Sequence, residues 1–320
     1  MSDKRTFYPD LNITNIGDPF MLKVDPTHYY MYATSSDEGF YSWESNNMTD
    51  WKKNDLCYRK NDDSWGYECF WAPEVIIFKE KYYMLYTARD KKDNLLKLGL
   101  AVSDEPAGPF KDIKNAPFLD LGYATIDGNI LIDDDGRIYL YFARDCSVNI
   151  VDGNHVSEIY VIELKKDLSG TIGKEKRLIS PSLEWEKPQG GWGWNEGPEV
   201  LKHNGKYYLT YSANYFESPE YSIGYAVSDD PMGPFTKPEN NRILYKGDKE
   251  YISGPGHHSF VYSPDDTELW VAYHSHTDIA HPSGDRKVNL CKAFFKPDGS
   301  LYFDGPLDPK VRIPLPSGVK

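Results

Sequence analysis

Short runs rich in Tyr, Val, Ile and Leu recur along the chain, separated by polar, Gly- or Pro-bearing turns, and this pattern predicts strands throughout. Five segments share one layout, in which a polar or Gly/Pro opening leads into a strand, a tight turn and a second strand. Asp18-Pro19-Phe20 leads to Tyr29-Tyr30-Met31-Tyr32, and Ala72-Pro73-Glu74 to Tyr82-Tyr83-Met84-Leu85-Tyr86. Asp127-Gly128-Asn129 leads to Ile138-Tyr139-Leu140-Tyr141, and Gly197-Pro198-Glu199 to Tyr207-Tyr208-Leu209-Thr210-Tyr211. In the last, Gly256-His257-His258 leads to Leu269-Trp270-Val271-Ala272-Tyr273. Turn chemistry stands between the strands at Lys79-Glu80-Lys81, Asp134-Asp135-Gly136, Asn204-Gly205 and Pro264-Asp265-Asp266.

A second repeat lies inside these units. The stretch 98–110 (LGLAVSDEPAGPF) is nearly reproduced by 223–235 (IGYAVSDDPMGPF), each reading as a third strand, a Pro/Gly corner and the start of a fourth. Four strands with their loops at a period of about 55 to 70 residues are close to a propeller repeat, and five such units use up the chain. The fold expected is all-β: a single five-bladed β-propeller of four-stranded antiparallel blades, one domain over residues 1–320, with no helix of consequence. Two β-sandwiches would need a linker near the middle, and none stands there. In a propeller the first strand of each blade lines the axis, with Phe20, Val75, Ile130, Val200 and Phe260 innermost. The five openings then converge.

Composition narrows the partners. A net charge of -13 and the absence of a basic stripe argue against nucleic acid, whose binding needs clustered Lys and Arg. Apolar runs such as Val75-Ile76-Ile77-Phe78 are too short to cross a bilayer, so no membrane partner is expected. Met1-Ser2-Asp3-Lys4-Arg5-Thr6 has no apolar stretch behind its charges. Cys57, Cys69, Cys146 and Cys291 lack CxxC spacing. Both features suggest reduced thiols and a cytoplasmic address, a secreted mature form being the alternative. The 25 Tyr and 8 Trp exceed what a core needs and suit a surface for flat, neutral ligands, although β-propensity alone also favours them.

Asp18, Glu74 beside Trp71, Asp127, Glu196 and His257 stand at the convergent openings. Several acids near one axis oppose each other's ionisation, which points to use in chemistry. Glu196 precedes Gly197-Pro198, so it cannot run into a helix, and the upstream Trp192 and Trp194 would help keep its carboxyl protonated, as a general acid requires. Glu199, three residues on, competes for that role. Glu74 reads rather as a structural hydrogen-bonding group, and Asp133, Asp134 and Asp135 read as a solvated hairpin tip.

Asp18-Pro19, Trp71-Ala72-Pro73-Glu74, Ile126-Asp127-Gly128, Asn195-Glu196-Gly197-Pro198 and Gly254-Pro255-Gly256-His257 together resemble the family 43 glycoside hydrolases, over Asp18 to about Gly299. The resemblance implies a five-bladed propeller and three catalytic residues. Asp18 would be the base that activates water, Glu196 the general acid, and Asp127 the carboxylate that raises and orients the acid. It implies inversion at the anomeric carbon, with Asp18 and Glu196 roughly 6.5 to 9.5 Å apart. His257 matches a histidine that in many members coordinates a hydrated calcium ion at the axis, with His258, His274 and His276 as nearby alternatives. No organic cofactor is implied.

Phe70, Trp71, Trp192, Trp194 and Tyr215 are candidates for walls against which a sugar stacks, or for packing between blades. Arg286 resembles a substrate-binding position. The activity implied is cleavage of plant cell-wall pentose oligo- or polysaccharides. An exo-acting α-L-arabinofuranosidase is favoured because the C-terminal β-sandwich of the family's β-xylosidases is missing; β-xylosidase and endo-arabinanase are the alternatives. A non-catalytic sugar-binding propeller is disfavoured by the three carboxylates. A sucrose- or fructan-cleaving relative is disfavoured because Arg89-Asp90 and Arg144-Asp145 lack a following proline.

Overall fold

The computed structural model describes residues 5–320, so only Arg5 and Thr6 of the N-terminal hexapeptide lie within it. The described residues are all-β, with seven sheets, a single 3-10 turn, Glu184–Glu186, and no α-helix. The first sheet is built in chain order from Gly17–Asp25, His28–Thr34, Gly39–Ser45 and Lys52–Arg59. Gly66–Phe78, Lys81–Asp90, Leu96–Ser103 and Lys111–Asp112 make the second, and Thr125–Ile132, Ile138–Arg144, Glu158–Leu164 and Thr171–Ile179 the third. Asn195–His203, Lys206–Ala213 and Ser222–Ser228 make the fourth, and Gly256–Tyr262, Leu269–His276, Arg286–Phe295 and Leu301–Phe303 the fifth. All pairing within these five is antiparallel.

The fourth sheet departs from the expected four strands. Residues 231–238 carry prolines at 231, 234 and 238, whose missing N–H groups prevent a continuous ladder, and one bridge between Val227 and Thr236 takes the place of the outer strand. Two small sheets complete the fold. Thr6–Phe7 pairs with Ile313–Pro314, bringing the described ends together, and Ile150–Val151, Asn154–Val156 and Trp192–Gly193 form a three-stranded patch.

The opening strands of the five larger sheets touch in a closed cycle, first to second to third to fourth to fifth and back to the first. Each gap between consecutive sheets is filled by its own apolar cluster. Strand Ile138–Arg144 shows why the sequence does this: Ile138, Leu140 and Phe142 enter the cluster shared with the second sheet, while Tyr139 and Tyr141 enter the one shared with the fourth. A strand with two apolar faces must be covered on both.

Tyrosine does more here than follow β-propensity. The Tyr32 hydroxyl donates to the Pro106 carbonyl at 2.7 Å, and the Tyr141 hydroxyl to the Pro231 carbonyl at 2.8 Å. Pro106 and Pro231 are equivalent positions of the internal repeat, so in both places a tyrosine of one sheet ties down the Pro/Gly corner of the next. Asp133 also departs from expectation. It is buried, accepting from Lys202 Nζ at 2.5 Å and the Tyr207 hydroxyl at 2.6 Å, because the neighbouring sheet covers this side of the hairpin; Asp134 and Asp135 remain solvated.

Candidate active site

Each opening strand breaks register at an equivalent point, the first and second having further shifts elsewhere. The equivalent shifts fall between Gly17 and Phe20, Trp71 and Glu74, Ile126 and Asn129, Glu196 and Glu199, and Gly256 and His258. At every break one residue takes a left-handed backbone: Asp18 (φ 54°), Ala72 (44°), Asp127 (55°), Gly197 (54°) and His257 (41°). Four of these are not glycine, and an L-residue there costs roughly 1–2 kcal/mol, so the surrounding sheets impose the conformation. A bulge re-aims the side chain it carries. Here Asp18, Asp127, Glu196 and His257 are turned into one pocket of about 260 Å³.

Asp18 is held on every side. Arg286 Nη1 donates to its Oδ1 at 2.8 Å, the Thr34 hydroxyl to its Oδ2 at 2.5 Å, and its own N–H to His274 Nδ1 at 3.1 Å. Burial pushes its carboxyl up, but Arg286, His257 and His274 together outweigh that and hold it well below the usual carboxylate range. Arg286 reaches this place across Gly17, where a Cβ would stand 2.0 Å from the guanidinium.

Glu196 is the opposite case. Burial, and after it the charge of Asp127, push its carboxyl well above the usual range, with Asp145 and Asp18 adding to the effect. The Tyr221 hydroxyl, donating to Oε1 at 2.9 Å, works the other way. The cause is thus burial with neighbouring acids, and Trp192 has no place in the pocket lining. Asp127, pinned by the Gly197 N–H at 3.0 Å, is pushed up to about 6, chiefly by burial. Two substitutions separate these influences. Tyr221→Phe removes a bond that favours the carboxylate, so the alkaline limb of the kcat/KM profile should move to higher pH. Asp127→Asn removes a negative neighbour, so the limb should move to lower pH. Shifts of the same sign in both variants would contradict this reading of Glu196.

Among the residues singled out in the sequence, Trp71, Trp194, Tyr215 and Arg286 also line the pocket. Phe70 does not. It is buried among Phe40, Tyr58 and Tyr86, because it faces the gap between the first and second sheets and serves packing there. Trp192 is partly exposed on the small three-stranded sheet outside the pocket. Glu74 stands two residues past the left-handed position rather than beside Asp18, as Asn129 and Glu199 do in their strands, while His258 stands one residue past and resumes the register there. These four form an inner polar layer. Asn129 Nδ2 donates to Glu74 at 2.8 Å, and both Glu199 oxygens accept from the Phe260 N–H. Burial pushes Glu199 up to about 8. Glu199 therefore lies outside the pocket lining that contains Glu196.

Tyr221, Asp145 and Phe216 line the pocket and were not legible in the sequence. The only trace of Tyr221 is Gly256, where a Cβ would stand 2.3 Å from its ring. His274 and His276 are positioning groups. His274 accepts from the Asp18 backbone, and His276 bridges Ser253 Oγ and the Phe216 carbonyl, each at 2.9 Å. His257 Nδ1 is 3.4 Å from Asp18 Oδ1 and 4.0 Å from Asp127 Oδ2. No three His, Cys, Asp or Glu side chains among the described residues are grouped as a metal cage. An oxygen-preferring ion would find one imidazole and carboxylates already engaged, so the protein groups alone do not fit calcium and no chemical step is assigned to it.

Two carboxyl groups pushed in opposite directions within one pocket suit acid-assisted cleavage of a glycosidic bond. The chain belongs to the glycosyl hydrolases family 43, whose model matches residues 13–301, and it is an O-glycosyl hydrolase. It is 48% identical to a thermostable family-43 glycoside hydrolase of known crystal structure, with a TM-score of 0.92 over 96% of this chain and 98% of that one. An endo-1,4-β-xylanase from Bacteroides thetaiotaomicron is 31% identical, with a TM-score of 0.80 over 96% and 98% of the two chains. A β-D-galactofuranosidase of Aspergillus niger is 27% identical over 77% of this chain and 70% of its own length. An arabinoxylan arabinofuranohydrolase of Paenibacillus polymyxa is 28% identical over 72% of this chain and 37% of its own.

Proposed function

We propose that the protein is an inverting, exo-acting α-L-arabinofuranosidase that works on plant cell-wall pentose oligo- and polysaccharides. One feature of the pocket supports the mechanism: its surroundings hold the Asp18 carboxyl well below the usual carboxylate range and push that of Glu196 well above it. Asp18 takes the proton of an attacking water, Glu196 gives its proton to the leaving oxygen, and Asp127 keeps Glu196 charged with that proton while its own bond to the Gly197 N–H fixes the bulge. In this reading the five larger sheets are the blades of one propeller, a single catalytic domain over residues 1–320, and the closed cycle of opening strands is its axis.

Exo action is supported by the size of the pocket, about 260 Å³, below the ~300–1,000 Å³ common for larger ligands. The sugar is the finer part of the proposal. It is supported by relatives that include an extracellular exo-α-(1→5)-L-arabinofuranosidase of Streptomyces avermitilis, 26% identical over 78% of this chain and 51% of its own length. Hydrolysis of 4-nitrophenyl α-L-arabinofuranoside, β-D-xylopyranoside and β-D-galactofuranoside tests it directly. The arabinofuranoside should give the highest kcat/KM, and a clear preference for either of the others overturns the sugar assignment. The four cysteines are free, which agrees with a cytoplasmic address and short imported oligosaccharides as substrates.

An ion at His257 is tested separately, because the protein groups there do not by themselves fit calcium. If it is functional, exhaustive chelation should lower activity and melting temperature, and calcium should restore both. Activity and melting temperature unchanged by chelation would remove the ion from the picture.

A further inference from the structure

The small three-stranded sheet has no role in the hydrolysis described so far, and it carries a row of rings that starts inside the pocket and leaves it. Trp194 lines the pocket two residues upstream of Glu196. Trp192, two residues further upstream and therefore on the same side of an extended chain, lies with its ring centroid 6.3 Å from that of Trp194 and nearly parallel to it, at 16°. His155 stacks on Trp192 at 4.0 Å and 11°. Tyr215 packs against Trp194 from the other side at 5.4 Å and also lines the pocket. Trp192 is 39% exposed and Tyr215 41%, so both rings are open to a ligand from solvent.

The row is built to be rigid. The His155 N–H donates to the Gly191 carbonyl at 2.8 Å and the Ser157 N–H to the Gly193 carbonyl at 2.9 Å, which fixes the strand bearing His155 beside the one bearing Trp192. His155 Nδ1 lies 2.9 Å from the Cys146 carbonyl, so Nδ1 carries the proton and the ring is locked in plane. A preorganised aromatic platform loses little entropy when a ligand settles on it.

We propose that Trp194, Trp192 and His155 form a leaving-group subsite that takes the neutral pyranose rings of an oligosaccharide or polysaccharide chain. The inference rests on Glu196 being the proton donor. A donor must reach the oxygen that departs, so the part of the substrate that leaves lies on the Glu196 side of the pocket, and the chain bearing Glu196 runs straight back into Trp194 and Trp192. Flat ring faces with polar edges suit the apolar face of a pyranose. The chain's net charge of -13, with no Lys or Arg among the three, disfavours an acidic sugar. The protein would then be adapted to side groups or ends carried on a longer chain rather than to free disaccharides.

The test compares two substrates that share a glycon and differ only in what leaves. For wild type, Trp192→Ala and His155→Ala, kcat/KM is measured on 4-nitrophenyl α-L-arabinofuranoside and on an arabinosylated xylotetraose. Trp192→Ala should reduce the oligosaccharide value at least tenfold more than the aryl glycoside value, which corresponds to about 1.4 kcal/mol. His155→Ala should show the same selectivity to a smaller degree. Equal losses on both substrates, or no loss on either, overturn the subsite. Binding gives an independent reading. Titration of inactive Glu196→Gln with xylotetraose should give a Kd about tenfold tighter than that of Glu196→Gln/Trp192→Ala, and equal Kd values overturn the subsite. If the wild type hydrolyses neither substrate while xylotetraose binding still depends on Trp192, the sugar assignment fails and the subsite stands.

Discussion

Glu196→Gln is expected to lower kcat on natural glycosides by roughly two to four powers of ten, the usual worth of general acid catalysis. The same variant should lose far less on a dinitrophenyl glycoside, whose leaving group departs without a proton. The structure adds a reason to expect a clean result. Glutamine keeps the shape of the side chain and its carbonyl can still accept from the Tyr221 hydroxyl, and burial pushes the carboxyl it replaces toward its neutral form, so the substitution disturbs the charge of the site little. Melting temperature should therefore stay close to wild type. Equal loss on both substrates would mean that Glu196 does not donate the proton, and the inner layer's Glu199 would then be the next residue to test.

Asp18→Asn should be damaging with both leaving groups, by a similar two to four powers of ten, because the attacking water loses its base whatever departs. Unlike Glu196, Asp18 should also matter for stability. Its carboxylate faces the buried Arg286 guanidinium at 2.8 Å, and a neutral amide leaves that charge without its partner, a loss of about 3 kcal/mol for a buried pair. The sign with pH follows. The folded-state pKa of Asp18 lies below its unfolded value, so its contribution is fully present above the unfolded pKa of about 3.9 and fades as pH falls toward the folded value. Chemical denaturation at pH 7 should show the variant less stable than wild type, with the difference shrinking in strong acid. A stability difference that is the same at pH 7 and in strong acid would contradict the ion pair.

Much of this site was legible before any coordinates. The repeated strand openings announced that Asp18, Asp127, Glu196 and His257 would converge, since each opening carries the same break in register. What the sequence could not show was depth within each bulge. Glu74 and Glu199 look equivalent to Asp18 and Glu196 until the register shift places them in a second layer, because one or two residues around a bulge change which direction a side chain takes. Phe70 and Trp71 are adjacent aromatics with opposite fates for the same reason: one faces the gap between sheets and the other the pocket. Tyr221 belongs to no repeated motif and reaches Glu196 only because Gly256, from another sheet, leaves it room. Contacts of that kind depend on packing between distant segments, and no local pattern encodes them.

Assigning Asp18 as the base for a water on one face and Glu196 as the acid for the leaving oxygen on the other commits the reaction to inversion at the anomeric carbon, whereas the same two carboxyl groups acting as nucleophile and acid would retain it. Proton NMR of the first sugar released, recorded before mutarotation, tests this most directly. A product of opposite anomeric configuration to the substrate is the expected result; a product that retains it would require a covalent intermediate and would contradict the assignment of Asp18 as the base.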